Sequence, residues 1–190
     1  MSRKIPEVLT KEEQIKLLSQ FNLRYPTPHR NKVMIQLILV SGLRLSEMSN
    51  LQWKNVNLMT GQLKVVQGKG KKDRVLWVDE DTIKALQDWK TRQFTEWGKS
   101  VYVFTSRNLK QLDGKAVRKM IAIYSKKAGI EKDITTHSLR HTFGTDLLRA
   151  TKNIRIVQKA LGHSYISTTQ IYTHIVDDEL EEAMKSFRRG

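Results

Sequence analysis

Residues 33–47 read Val33-Met34-Ile35-Gln36-Leu37-Ile38-Leu39-Val40-Ser41-Gly42-Leu43-Arg44-Leu45-Ser46-Glu47, and this stretch decides the fold. From Val33 to Val40 only Gln36 interrupts the apolar residues, so the segment forms a helix that is buried on all sides. It falls far short of the roughly 18 residues a membrane span needs. Gly42 supplies the left-handed stop of that helix. Arg44 follows at once, a poor place for packing alone, because a guanidinium beside a buried helix needs an anion. Glu47, three residues on, is able to hold it.

A helix this apolar must be surrounded, and the flanking sequence supplies the surround. Upstream, Thr10-Lys11-Glu12-Glu13 forms a capping box, which predicts a helix from about Lys11 to Phe21 with Ile15, Leu18 and Phe21 on one face. Pro26-Thr27-Pro28 breaks the chain before the core helix. Downstream from Gln62 the period becomes strand-like: Leu63, Val65 and Val66, a turn Gly68-Lys69-Gly70-Lys71-Lys72-Asp73, then Val75, Trp77 and Val78. That is a β-hairpin with a basic tip. Helices are predicted at Glu80–Arg92, Asp113–Lys127 (stopped by Gly129), Ser138–Ala150 and Ile154–Leu161 (stopped by Gly162), with a last stretch after Ser167. The expected class is mostly α with a small antiparallel β-sheet (α+β), as one domain over residues 10–190 behind a short lead, residues 1–9.

Composition narrows the function. The 190 residues carry 34 Lys+Arg against 19 Asp+Glu, a formal charge of +15. Such self-repulsion calls for a polyanionic partner, nucleic acid first and an anionic membrane surface second. No apolar segment follows the charged start, so nothing reads as a secretory signal. The absence of cysteine excludes disulfide frameworks, thiolate metal sites and cysteine nucleophiles, and suits a reducing cytoplasm.

Two more stretches carry chemistry. In His137-Ser138-Leu139-Arg140-His141 the first His and the Arg lie three apart on a helix, with Thr135 or Thr136 as the N-cap. A His and an Arg at a helix N-terminus describe an oxyanion or phosphate site; the competing reading is a solvated basic face. His137 and His141 have the spacing of a zinc-binding helix, but the position of its catalytic Glu is Ser138, so no metal is expected. The other stretch is Leu161-Gly162-His163-Ser164, followed by Thr168-Thr169-Gln170-Ile171-Tyr172.

Together the blocks at 42–47, 137–143 and 161–172, with a Gly-Lys-Gly hairpin tip between the first two, resemble the catalytic domain of the tyrosine recombinases, the phage-integrase family that includes Xer and Cre. The resemblance runs from about Leu9 to Phe187. It implies the tyrosine recombinase catalytic-domain fold and a site-specific DNA recombinase that works in integration, excision, inversion or resolution. Tyr172 is then the nucleophile that forms a 3′-phosphotyrosyl bond, and Arg44 and Arg140 clamp the non-bridging oxygens. His137 assists proton removal, His163 hydrogen-bonds a non-bridging oxygen, and Lys69 is the general acid, with Lys71 and Lys72 as the ambiguity. Glu47 supports Arg44, while Lys71, Lys72, Arg74 and His141 are expected to contact DNA. The chemistry is consistent: forming a phenolate at neutral pH costs about 4 kcal/mol, and a cluster of cations lowers that cost. No metal, ATP or other cofactor is implied.

The implied partners are a double-stranded recombination site and, on DNA, three further copies of the chain. The free protein is expected to be a monomer in the cytoplasm, near the nucleoid and without a membrane anchor. Leu180, Ala183, Met184 and Phe187 fall on one face of a predicted C-terminal helix, about 177–187, which either packs at home or docks in a neighbouring protomer. Most relatives carry an N-terminal core-binding domain that is not found in residues 1–9. The expectation is therefore an excised catalytic domain or a short fimbrial-invertase-like member. A type IB topoisomerase is the alternative enzyme, and a basic DNA-binding module with a vestigial nucleophile the alternative without catalysis.

Overall fold

A computed structural model describes residues 7–66, 73–162 and 184–185. The elements are α1 (Lys11–Ser19), α2 (Pro26–Ser41), α3 (Leu45–Ser49), a 3-10 turn at Trp53–Asn55, β1 (Gln62–Val65), β2 (Arg74–Trp77), α4 (Glu80–Trp97), α5 (Gly114–Lys127), α6 (Thr136–Thr151) and α7 (Ile154–Leu161). The capping box at Thr10 is present, with its hydroxyl accepting from the Glu13 N–H. Pro26 and Pro28 are not a break before α2 but its first turn, where the missing N–H groups would have no helical acceptor in any case.

As its apolarity requires, α2 is the central element, with Val33, Met34, Ile35, Leu37 and Ile38 at most 1% exposed. It packs against α4 on one side and α6 on another. Trp89 of α4 is fully buried and satisfies its indole N–H on the Val103 carbonyl at 2.7 Å. A smaller cluster of Phe143, Leu148, Val157 and Leu161 joins α6 to α7. Among the described residues, no helix is long and apolar enough to cross a membrane.

The sheet is one antiparallel pair, with Leu63 opposite Leu76 and Val65 opposite Arg74. Leu63, Val65 and Leu76 face inward, whereas Val75 and Trp77 are exposed. Alternation along a strand then puts Arg74 on the inward side with Leu76. This overturns the expected facing of β2, in which Val75 and Trp77 formed the apolar set. The basic turn expected at the hairpin tip lies outside the described residues apart from Asp73, as does the helix expected at 177–187 apart from Met184 and Lys185.

Candidate active site

One carboxylate organises the site. Arg44 stands at the N-cap of α3, two residues beyond the left-handed Gly42. Its backbone N–H donates to Glu47 Oε2 and its Nη1 to Glu47 Oε1, each at 2.8 Å. Arg74 reaches the same carboxylate from β2 as a fork, Nη1 to Oε1 at 2.8 Å and Nη2 to Oε2 at 2.9 Å. From α6, Arg140 brings Nη1 to 4.0 Å from Oε2. Burial alone would raise the pKa of Glu47. The Arg74 hydrogen bonds, the Arg44 N–H and the Arg74 charge outweigh it and hold the group down to about 2. At neutral pH it is an anion among three cations.

The same arginines grip the end of α7. Arg74 Nε donates to the Ala160 carbonyl at 2.8 Å, Arg140 Nη2 to the Leu161 carbonyl, and Arg44 Nη2 to the Gly162 carbonyl at 3.3 Å. These three consecutive acceptors are among those a helix leaves unsatisfied at its C-terminus, where the macrodipole also favours cations. Arg140 Nη1 donates in addition to the Gly42 carbonyl, so this side chain ties together two glycine-stopped helix ends. The junction requires glycine at position 42. Its φ is +61°, and a Cβ there would stand 2.4 Å from Phe143 Cδ1 and 2.9 Å from Leu161 Cδ2.

The start of α6 is fixed by Thr135, whose hydroxyl accepts from Ser138 N–H, while Ser138 Oγ accepts from Thr135 N–H in return. On the helix so begun, His137 is exposed in the first turn and Arg140 is buried one turn further in. His141 follows, half-buried. Burial, then the nearby His137 and Arg140, push its pKa down to about 4, so its imidazole is neutral at neutral pH. Among the described residues, no group of three His, Cys, Asp or Glu side chains is placed to hold a metal ion.

Of the residues singled out from the sequence, Arg44, Glu47, Arg74 and Arg140 are brought together, and His137 and His141 flank Arg140 on α6. Lys69, Lys71, Lys72, His163 and Tyr172 lie outside the described residues. For Arg74, expected to contact DNA, the structure shows a side chain 8% exposed that forks onto Glu47, as the strand register dictates. What sequence reasoning missed entirely is the set of acceptors, the carbonyls of Gly42, Ala160, Leu161 and Gly162. The two glycine stops were the only trace of them.

Over residues 7–179 the sequence matches the Phage integrase family. Similar curated proteins include Tyrosine recombinase XerD of Staphylococcus aureus (strain Mu50), 35% identical over 188 residues, and that of Staphylococcus saprophyticus, 37% identical. Each alignment covers 97% of this chain but 63% of the relative, so the chain spans less than two thirds of their length. Among solved structures, XerA recombinase superposes with a TM-score of 0.83 at 33% identity, covering 98% of this chain and 66% of that one. XerH recombinase, in a post-cleavage complex with its palindromic difH substrate, superposes with a TM-score of 0.82 at 28% identity, covering 97% and 54%.

Proposed function

The chain belongs to the phage integrase family, and from that membership we propose that it breaks and rejoins DNA strands at specific sites through a 3′-phosphotyrosyl intermediate. Its mostly helical fold with one antiparallel strand pair is that of tyrosine recombinase catalytic domains. The observation that carries the reading is the convergence of Arg44, Arg74 and Arg140 on Glu47 and on the end of α7, with Arg44 one-third exposed and His137 exposed on the next helix. Three guanidinium groups against one carboxylate leave an excess of positive charge, which is what a phosphate in a pentacoordinate transition state requires.

In this scheme the Tyr172 oxygen attacks the scissile phosphorus and the P–O5′ bond breaks. His137 assists removal of the phenol proton, and Lys69 gives a proton to the departing 5′ oxygen. Arg44 and Arg140 stabilise the non-bridging oxygens with His163, which directly follows the Gly162 carbonyl held by Arg44. A 5′-hydroxyl from another strand reverses the step, so neither metal nor ATP enters it. The partner is double-stranded DNA, in keeping with the +15 charge and with the substrate bound to XerH. The place of work is the cytoplasm. The relatives compared are named recombinases, which gives the topoisomerase alternative no support.

Exchange of strands needs four copies on DNA. The apolar stripe Leu180, Ala183, Met184 and Phe187 of one copy docks on its neighbour, while the free chain is monomeric. An apolar hollow of about 420 Å³ between β2, α6 and α7, lined in part by Val75, Trp77, Phe143, Leu147 and Ile156, supports this reading. The function is tested with a nicked suicide substrate. The full chain should form a covalent protein–DNA adduct, and Tyr172→Phe should bind the same DNA and form none. An adduct with the Phe variant would reject Tyr172 as the nucleophile.

A further inference from the structure

Arg74 is the one member of the arginine cluster that the proposed chemistry does not use, yet every nitrogen of its guanidinium group is engaged. Nε, Nη1 and Nη2 each donate, to Ala160 O, Glu47 Oε1 and Glu47 Oε2, all within 2.9 Å. Its side chain is 8% exposed, and all three of its nitrogens are directed at protein acceptors, two of them at the Glu47 carboxylate. We propose that Arg74 is a positioning residue that takes up most of the Glu47 carboxylate, so that Arg44, which shares it, and Arg140, which stands off it, keep most of their charge for the scissile phosphate. The inference rests on the function proposed above and extends it to the residue that sets the charge of the site.

Charge and geometry lead to it together. Arg44, Arg74, Arg140 and Glu47 sum to +2; without Arg74 they sum to +1. Glu47 Oε1 is shared between Arg44 Nη1 and Arg74 Nη1, and Oε2 takes Arg74 Nη2 with Arg140 Nη1 4.0 Å away. If Arg74 is removed, a buried carboxylate loses two charge-assisted bonds, and the nearest cations able to replace them are Arg44 and Arg140. Arg140 would turn toward Glu47 and Arg44, already bonded to it, would be held more tightly, so the phosphate would compete with the carboxylate for both. The loss therefore falls on bond cleavage, not on DNA affinity, which other cations of the basic surface supply.

The test is single-turnover cleavage of the suicide substrate at saturating DNA by the full chain, with thermal melting to verify folding. Arg74→Gln should cleave about 100-fold more slowly, with an affinity for DNA within about threefold of the parent. Arg74→Lys keeps the charge without the fork and should lose only about tenfold. The double variant Glu47→Gln/Arg74→Gln removes the competing carboxylate as well and should recover at least about tenfold over Arg74→Gln. A purely structural Arg74 makes the opposite forecast: the double variant is then no faster than the single one, and that result overturns the proposal. If Arg74→Gln does not fold, the double variant decides alone. Cleavage within about tenfold of the parent supports the role, and cleavage as slow as that of Arg140→Ala overturns it. If the parent itself forms no adduct, the proposed function and this role fall together, whereas a parental adduct with an inert double variant rejects this role alone.

Discussion

Arginine is drawn inward in two regions of this chain, for different ends. Near the start of α2, Arg30 donates from Nε and Nη2 to Asn31 Oδ1, at 3.0 and 2.6 Å, and from Nη1 to the Thr105 carbonyl at 2.7 Å. The Trp97 ring lies 5.7 Å from its guanidinium carbon. Burial, then the charge of Arg107, lowers its pKa to about 10, so it remains a cation held by neutral acceptors. It fastens α2 to the chain after α4. At the end of α7, by contrast, three guanidinium groups from separate segments share one carboxylate and three consecutive carbonyls, and one of them is partly open to solvent. An inward arginine alone is therefore no mark of a site. Convergence of several on fixed acceptors, with one side open, is the arrangement that suits a phosphate.

The comparison breaks or sharpens under substitution. Arg140→Ala should slow single-turnover cleavage by about 100- to 1,000-fold, because it removes charge stabilisation at the phosphate. Arg30→Met should leave cleavage per folded molecule nearly unchanged; an equal loss in both variants would erase the distinction between the two regions.

Next in size is the dependence of stability on pH. Glu47 is held at about 2, below its ordinary 4.5, so the stability it contributes is complete above about 4.5 and is lost as the pH falls through about 2. That contribution is about 3 kcal/mol. His141, lowered from 6.5 to about 4, must charge on acidification, so its contribution is complete above 6.5 and lost as the pH falls through about 4. Urea unfolding across pH should show both windows, with Glu47→Gln abolishing the lower and His141→Gln the upper. Gly42→Ala comes next, at about 2 to 3 kcal/mol, since it combines a left-handed backbone with a Cβ that clashes with Phe143. The smallest effect is that of Arg30→Met on stability, about 1 to 2 kcal/mol in urea unfolding, as the Thr105 carbonyl loses its donor.

Much of the fold was legible because its signals are local. The capping box at Thr10, the all-round apolarity of Val33–Val40 and the glycine stops at Gly42 and Gly162 each act within one or two turns of chain. The five-residue α3 was not predicted, being too short to display a helical period. The inward facing of Arg74 was not readable because Val75 and Trp77 look as apolar as Leu76, and the parity of a four-residue strand is settled only by what packs against it. Within the site, the Arg44–Glu47 pair is three residues apart and readable. The Arg74–Glu47 pair spans 27 residues, and the carbonyl acceptors on α7 have no residue type by which to be recognised.

The central claim, that the arginines at the end of α7 stabilise charge on the phosphate and do not deliver the leaving-group proton, is tested most directly by a substrate whose bridging 5′ oxygen is replaced by sulfur. A thiolate departs without a general acid, so the substitution should restore cleavage by Lys69→Ala to within about tenfold of the parent and do nothing for Arg140→Ala. Rescue of Arg140→Ala by sulfur would contradict the account.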